Sequence, residues 1–114
     1  MENHSLDAAF HALADPTRRA VLSRLAQGPT PVTALAQPFA MGLPAFLKHL
    51  RVLEQDGLII TEKTGRVRTC RINAPQLAAA EGWLASQRAH WQASADRLAD
   101  YVETHLTRTE DHAD

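Results

Sequence analysis

The feature that most constrains this chain is the stretch LPAFLKHLRVLEQ, residues 43–55, with Pro44 at its start and Gly57 just past its end. Phe46, Leu50 and Leu53 recur at helical spacing and make one apolar stripe, while Pro44, Lys48, Arg51 and Gln55 project from the opposite side. A proline is tolerated in a helix only in the first turn, where its missing N–H would have had no partner. A glycine just past the end supplies the left-handed residue that stops a helix. The pattern therefore predicts a helix fixed at both ends, with one face docked and a cationic face turned outward. LIITE, the turn KTG and GRVRTCRI follow and predict a short arginine-rich hairpin.

The rest of the chain reads as helices before this unit and one long helix after it. Ser5 is positioned to cap a first helix through about Ala14, with Leu6, Phe10 and Leu13 on one side. Asp15 and Pro16 start a second helix that places Ala20, Val21 and Leu25 inward and ends at Gly28. Thr30 and Pro31 repeat that start signal for a short third helix carrying Val32, Leu35 and Ala36, closed by Pro38. With the brief turn 39–42 and the helix at 43–55, this makes a helix-turn-helix. Asn73 and Pro75 start a final helix to about Leu106, interrupted at Gly82, and 107–114 reads as a polar, disordered tail. The expected fold class is mainly α with a small β-hairpin, a winged helix-turn-helix in a single domain, 1–106.

Charge is distributed unevenly. The whole chain carries a formal net charge of -1, which by itself argues against a nucleic-acid partner. Residues 44–72, however, hold six basic side chains against three acidic ones, whereas residues from 73 onward hold three against seven. The positive charge sits where the outward helix face and the hairpin lie. A single cysteine rules out an internal disulfide, and the chain has neither a signal-peptide layout nor an apolar run long enough to span a bilayer. The expected setting is reducing and cytoplasmic, with no membrane partner. Leu77, Leu84, Trp91, Ala95, Leu98, Val102 and Leu106 form an apolar stripe on the last helix that a small monomer has no means to cover. A symmetric homodimer through the first and last helices is the expected remedy, with Leu6, Phe10, Leu84, Trp91, Leu98 and Val102 at its interface.

Three segments together resemble the ArsR-type winged-helix transcriptional regulators. FHALADPTRRAVLSRLAQGP is similar to their second-helix signature, LPAFLKHLRVLEQDGLI to their recognition helix, and TEKTGRVRTCRI to their wing. The resemblance covers residues 6–72 and continues less specifically into the last helix. It implies repression of transcription by a homodimer on an imperfect palindrome of double-stranded DNA, with two recognition helices about 34–36 Å apart in successive major grooves.

Within that reading, Lys48 and Arg51 are expected at phosphate or guanine, and Pro44, Ala45 and Leu47 near thymine methyl groups. The family often carries a small hydroxyl residue where this chain has Leu47, so its target sequence is not transferable from relatives. His49 has two readings, a partly buried histidine bonded to a neighbour or a phosphate contact. Lys63, Arg66 and Arg68 surround the hairpin turn and are expected at the minor groove or the backbone. Arg71 is farther away, where pairing with an acidic neighbour suffices. Arg18 and Arg19 are expected to brace Asp15 rather than meet phosphate.

Alternatives within the same fold are sensing by metal or by thiol. The family's cysteine-based metal sites resemble paired thiolates on the third helix, but VTALAQ contains no Cys, His or carboxylate. His90, Asp100, Glu103 and His105 are the available donors on the last helix; solvated polar residues account for them better, and no metal or cofactor is expected. Cys70 lies between Arg68 and Arg71, which favours a reactive thiolate, yet a lone cysteine in a hairpin is more often an apolar filler. A small-molecule effector beside Trp83, Trp91 and Tyr101 is a further option. An enzyme is not expected, because the chain has no phosphate loop, nucleophile motif or paired carboxylates; His11 and Asp15, one turn apart, read as a capping arrangement. A winged-helix protein-interaction module is the remaining class, and the outward cations argue against it.

Overall fold

The computed structural model describes residues 2–113, with side chains for residues 5–106. In chain order the elements are α1 (Glu2–Leu13), α2 (Pro16–Leu25), β1 (Thr30–Pro31), α3 (Val32–Ala36), α4 (Leu43–Gln55), β2 (Ile59–Thr64), β3 (Val67–Ile72) and α5 (Ala74–Ala113). They fall into two compact units, Met1–Ala80 and Glu81–Asp114.

The first unit is built under α4. Phe46, Leu50 and Leu53 are buried, as their spacing predicts, and join Val21, Leu22 and Leu25 of α2, Leu35 of α3, Leu58, Ile59 and Cys70 in one apolar core. The Phe39 ring lies 5.2 Å from that of Phe46, which seats the turn before α4 on the same core. From α1 the fully buried side chains are Ala9 and Ala12, with Leu6 and Leu13 half-buried against the cluster. The expected Leu6, Phe10 and Leu13 stripe thus gives the innermost positions to two alanines. Ala20, expected inward, is exposed, and Leu22 takes its place.

The start of α2 and the ends of α1 and α4 each have an identifiable device. Asp15 caps α2 by accepting a 3.0 Å hydrogen bond from the Arg18 amide, and Pro16 occupies the first turn. The end of α1 is satisfied from α2. Arg18 donates through Nε to the Ala12 carbonyl at 2.8 Å and through Nη2 to His11 at 3.1 Å, and Arg19 donates through Nη1 to Leu13 at 2.7 Å. These guanidinium groups bring positive charge to carbonyls left open at a helix C-terminus. The expected bracing of Asp15 by the arginine side chains is therefore replaced by capping of α1. Ser5, expected as the cap of the first helix, lies inside it.

At the end of α4, Gly57 adopts φ +80°, its amide donates to Glu54 at 3.0 Å, and the Leu58 amide donates to Leu53 at 2.9 Å. This is a Schellman stop, with the buried side chains of Leu53 and Leu58 as its apolar contact. Neighbouring elements bind the same corner. His11 Nδ1 lies 2.6 Å from Asp56 Oδ2, and Asn73 Nδ2 donates to the Gly57 carbonyl at 2.7 Å. Gln76 Nε2 donates to the Ser5 carbonyl at 3.0 Å. Asn73 thus holds the start of α5 to the end of α4, and His11 pairs with Asp56 rather than with Asp15.

The sheet has the order β1-β3-β2 and is antiparallel throughout. Thr30 and Pro31, predicted as a helix start, instead pair with Cys70 and Thr69, and Thr30 Oγ1 donates to Gly28 rather than to α3. The hairpin turn is also tighter than KTG. Thr64 pairs with Val67, leaving Gly65 and Arg66 as a two-residue turn, with Gly65 at φ +63° in the first central position. α2 ends at Leu25, three residues before the predicted stop, because Gly28 at φ +138° belongs to the turn leading into β1.

α5 contributes Ala80 and, half-buried, Leu77 to the first unit's core. Its helical assignment continues through Gly82 to Ala113, so Gly82 does not interrupt it. The segment 107–114, expected as a tail, lies outside the residues whose side chains are described. In the second unit Leu84, Trp91, Leu98, Tyr101, Val102 and Leu106 are all exposed. No helix among the described residues is long and apolar enough to cross a membrane.

Two glycines should respond oppositely to alanine. Gly57→Ala forces a Cβ into the left-handed region and should lower stability by about 1–2 kcal/mol. At Gly82 a Cβ meets nothing within 4 Å, and Gly82→Ala should raise stability by about 0.5–1 kcal/mol. Urea unfolding of both variants measures the contrast.

Candidate nucleic-acid interface

Because the core takes Phe46, Leu50 and Leu53, the remaining arc of α4 is left outside: Leu43, Pro44, Ala45, Leu47, Lys48 and Arg51 are all exposed. The hairpin stands beside this arc. A groove of about 380 Å³ is lined by Leu47, Arg51 and Gln55 of α4 together with Thr61 of β2 and Arg68 of β3. A second, of about 340 Å³, is lined by Leu43 and Leu47 of α4, Arg66, Val67 and Arg68 of the hairpin, and Thr33 of α3. Leu47 and Arg68 border both grooves, so the start of α4 and the hairpin tip share one concave surface.

Apart from Arg24, exposed in the last turn of α2, the cations of this unit sort into two groups. Arg18 and Arg19 are committed to carbonyls of α1, and Arg71 pairs with Glu62 at 3.1 Å, the acidic neighbour its position anticipated. The side chains of Lys48, Arg51, Lys63, Arg66 and Arg68 are exposed and make no hydrogen bond or ion pair with any described residue. Lys63 and Arg68 are moreover direct cross-strand partners. Like charges opposite one another weaken a hairpin. Their placement is a local cost that an external anion would remove.

His49 is half-buried rather than turned fully outward. Its Nδ1 lies 3.6 Å from Asp15 Oδ2 and 3.4 Å from Arg18 Nη1, the arrangement of a histidine bonded to neighbours. The Arg18 amide bonded to Asp15, together with the neighbouring His49 ring and the Arg18 charge, holds the Asp15 carboxyl below its ordinary value against the opposing effect of burial. Glu54 accepts a 2.7 Å hydrogen bond from Thr61 Oγ1, tying α4 to β2 below the cationic rim.

Cys70, on the core-facing side of β3, is fully buried. Burial pushes its thiol up from the ordinary value, the Glu54 carboxylate adds to the shift, and Arg68 opposes it. Of the two readings of Cys70, the apolar filler holds, because desolvation outweighs Arg68. No group of three or more His, Cys, Asp or Glu among the described residues is placed to hold a metal ion.

Comparison with known proteins gives a consistent result. A family model described as "Helix-turn-helix domain" matches residues 13–62. The HTH-type transcriptional regulator Rv2034 of Mycobacterium tuberculosis is 41% identical over 75 residues, covering 66% of this chain and 70% of that protein. Among solved structures, the ArsR family transcriptional regulator RHA00566 is 55% identical with a TM-score of 0.72, covering 77% of this chain and 91% of that one. A homodimeric winged helix-turn-helix DNA-binding domain, Mb0332 from Mycobacterium bovis, described as a possible ArsR-family regulator, is 25% identical with a TM-score of 0.60, covering 75% and 81%.

Two titrations follow from the site. A carboxylate whose folded pKa is depressed contributes stability that is complete above its unfolded value, near 3.9, and is lost as pH falls through the folded one. Asp15→Ala should cost about 1 kcal/mol at neutral pH, and Asp15→Asn, which keeps the cap without the charge, should flatten the acid limb of stability below about pH 4. For Cys70 the folded pKa is raised, so its contribution is complete below about pH 8.5 and is lost as pH rises further. A thiol reagent at pH 8 should modify Cys70 only after urea unfolding.

Proposed function

Since the chain belongs to the ArsR family of winged helix-turn-helix transcriptional regulators, we propose that it is a homodimeric repressor whose paired copies sit on an imperfect palindrome. The observation that carries this reading is the concave surface shared by α4 and the hairpin, rimmed by unpaired cations. Lys48 and Arg51 meet phosphate or a guanine edge in the major groove, and Pro44, Ala45 and Leu47 approach the bases from the first turns of the helix. Lys63, Arg66 and Arg68 follow the neighbouring backbone or minor groove. His49 acts from behind, positioned by Asp15 and Arg18. Such a protein works in the cytoplasm, at its operator.

Dimerisation is supported by the second unit. Trp91 and Leu98 are each 63% exposed, and with Leu84 and Val102 they recur along one face of α5. Glu81 and Arg88 lie on that face one turn to either side of Leu84, and with Leu84, Ala85 and Trp91 they line a shallow pocket of about 350 Å³. A two-fold axis between Leu84 and Ala85 sets Glu81 of one copy against Arg88 of the other, so antiparallel α5 helices are self-complementary in charge. Leu6 and Phe10 of α1 are half-buried, which leaves part of each for a partner copy.

Replacing Lys48 and Arg51 by alanine should leave thermal stability unchanged and weaken binding to duplex DNA. The slope of log affinity against log salt should become shallower by about 0.9 for each phosphate that is no longer neutralised. An unchanged salt slope would favour an interaction module of the same fold. For the dimer, Glu81→Arg and Arg88→Glu should each shift sedimentation toward monomer, and the double exchange should restore the dimer.

A further inference from the structure

The recognition helix begins without hydrogen-bonding side chains. Its first five residues, Leu43, Pro44, Ala45, Phe46 and Leu47, offer none, and Lys48 is the first polar group. In a helix-turn-helix these N-terminal positions are the ones brought to base edges. Hydrogen-bond readout is thus closed to them, and the major-groove feature that an apolar side chain recognises is the C5-methyl of thymine.

The surrounding surface is shaped for that contact. Leu43 is 53% exposed, Leu47 38% and Val67 50%. All three line the same groove between the first turn of α4 and the hairpin tip, with Arg66 and Arg68 on its border. Large apolar side chains singly exposed are ordinary, but three gathered within the cationic rim form an apolar notch where phosphate contacts would hold a duplex.

We propose that the α4 wall of this notch, Leu43 and Leu47, receives thymine methyl groups, so that the operator is specified at these positions by methyls rather than by hydrogen bonds. This rests on the DNA-binding reading above and adds the chemical feature that is read. Lys48 and Arg51 supply attraction and register, and Leu47, at the centre of the notch, supplies discrimination.

The test uses duplexes selected by the purified protein from a randomised pool, with each thymine replaced in turn by deoxyuridine, which lacks only the methyl. Fluorescence anisotropy should show at least one thymine per half-site where the replacement weakens binding about fourfold, the loss expected for about 0.8 kcal/mol per buried methyl. In Leu47→Ala the thymine-to-deoxyuridine ratio at that position should fall to about one, with the salt slope unchanged, since every phosphate-binding cation is kept. Leu43→Ala provides a second variant, and matching melting temperatures establish that both are folded. Tight binding with no deoxyuridine-sensitive position, or sensitivity unchanged in both variants, overturns the proposal and leaves the regulator reading standing. Failure to select any duplex overturns both.

Discussion

The outward face of α4 is only as rigid as the burial beneath it. Phe46, Leu50 and Leu53 are held by apolar residues from α2, α3 and the sheet, so the helix has no freedom to roll without exposing its stripe. Rotation by one residue, about 100°, would carry Arg51 away from the hairpin and turn Phe46 toward water. Hydrophobic burial is non-directional in itself, yet with a one-sided stripe it fixes the orientation of every cation on the other side. In this chain the core positions the interface.

The second constraint is the corner after α4. The Schellman stop at Gly57 turns the backbone directly into β2, and Asn73, Gln76 and His11 bring the start of α5 and the end of α1 to the same few residues. The hairpin therefore leaves α4 at a set angle, and the Thr61 to Glu54 hydrogen bond secures it again one turn back along the helix. β1 completes the arrangement by pairing with β3, which joins the hairpin to the segment that enters α3. The wing is anchored along its base on both sides, and only its tip, with Gly65 and the unpaired cations, projects from the sheet.

Charge divides along the same lines. Arginines with structural tasks lie where helix carbonyls or a carboxylate need them, as Arg18, Arg19 and Arg71 do. Of the unpaired cations, Arg51, Arg66 and Arg68 line the concave surface, while the second unit carries the excess of acidic residues. A chain of near-zero net charge can thus present a cationic surface of useful strength, because attraction to a polyanion depends on the local field within a Debye length and not on the total.

Much of the architecture was legible in the sequence where local chemistry and periodicity agreed. α4 between Pro44 and Gly57, the Asp15–Pro16 start of α2, the buried Phe46–Leu50–Leu53 stripe and the hairpin all follow from patterns within a few residues of one another. What the sequence left open or misdirected depended on distant partners. A two-residue strand containing proline has no periodicity to reveal it, so β1 exists only because Cys70 and Thr69 lie opposite. Arg18 and Arg19 looked like neighbours of Asp15, but the open carbonyls of α1 sit within reach once α1 folds back on α2. For Cys70 local sequence left two readings, a thiolate favoured by flanking arginines or an apolar filler, and burial in the core decides for the filler. The sequence alone determined which residues form the helix and hairpin and which of their faces is charged. Only the tertiary structure decided that Leu43, Leu47 and Val67 meet in one groove, because their proximity is a product of packing between elements that no local spacing encodes.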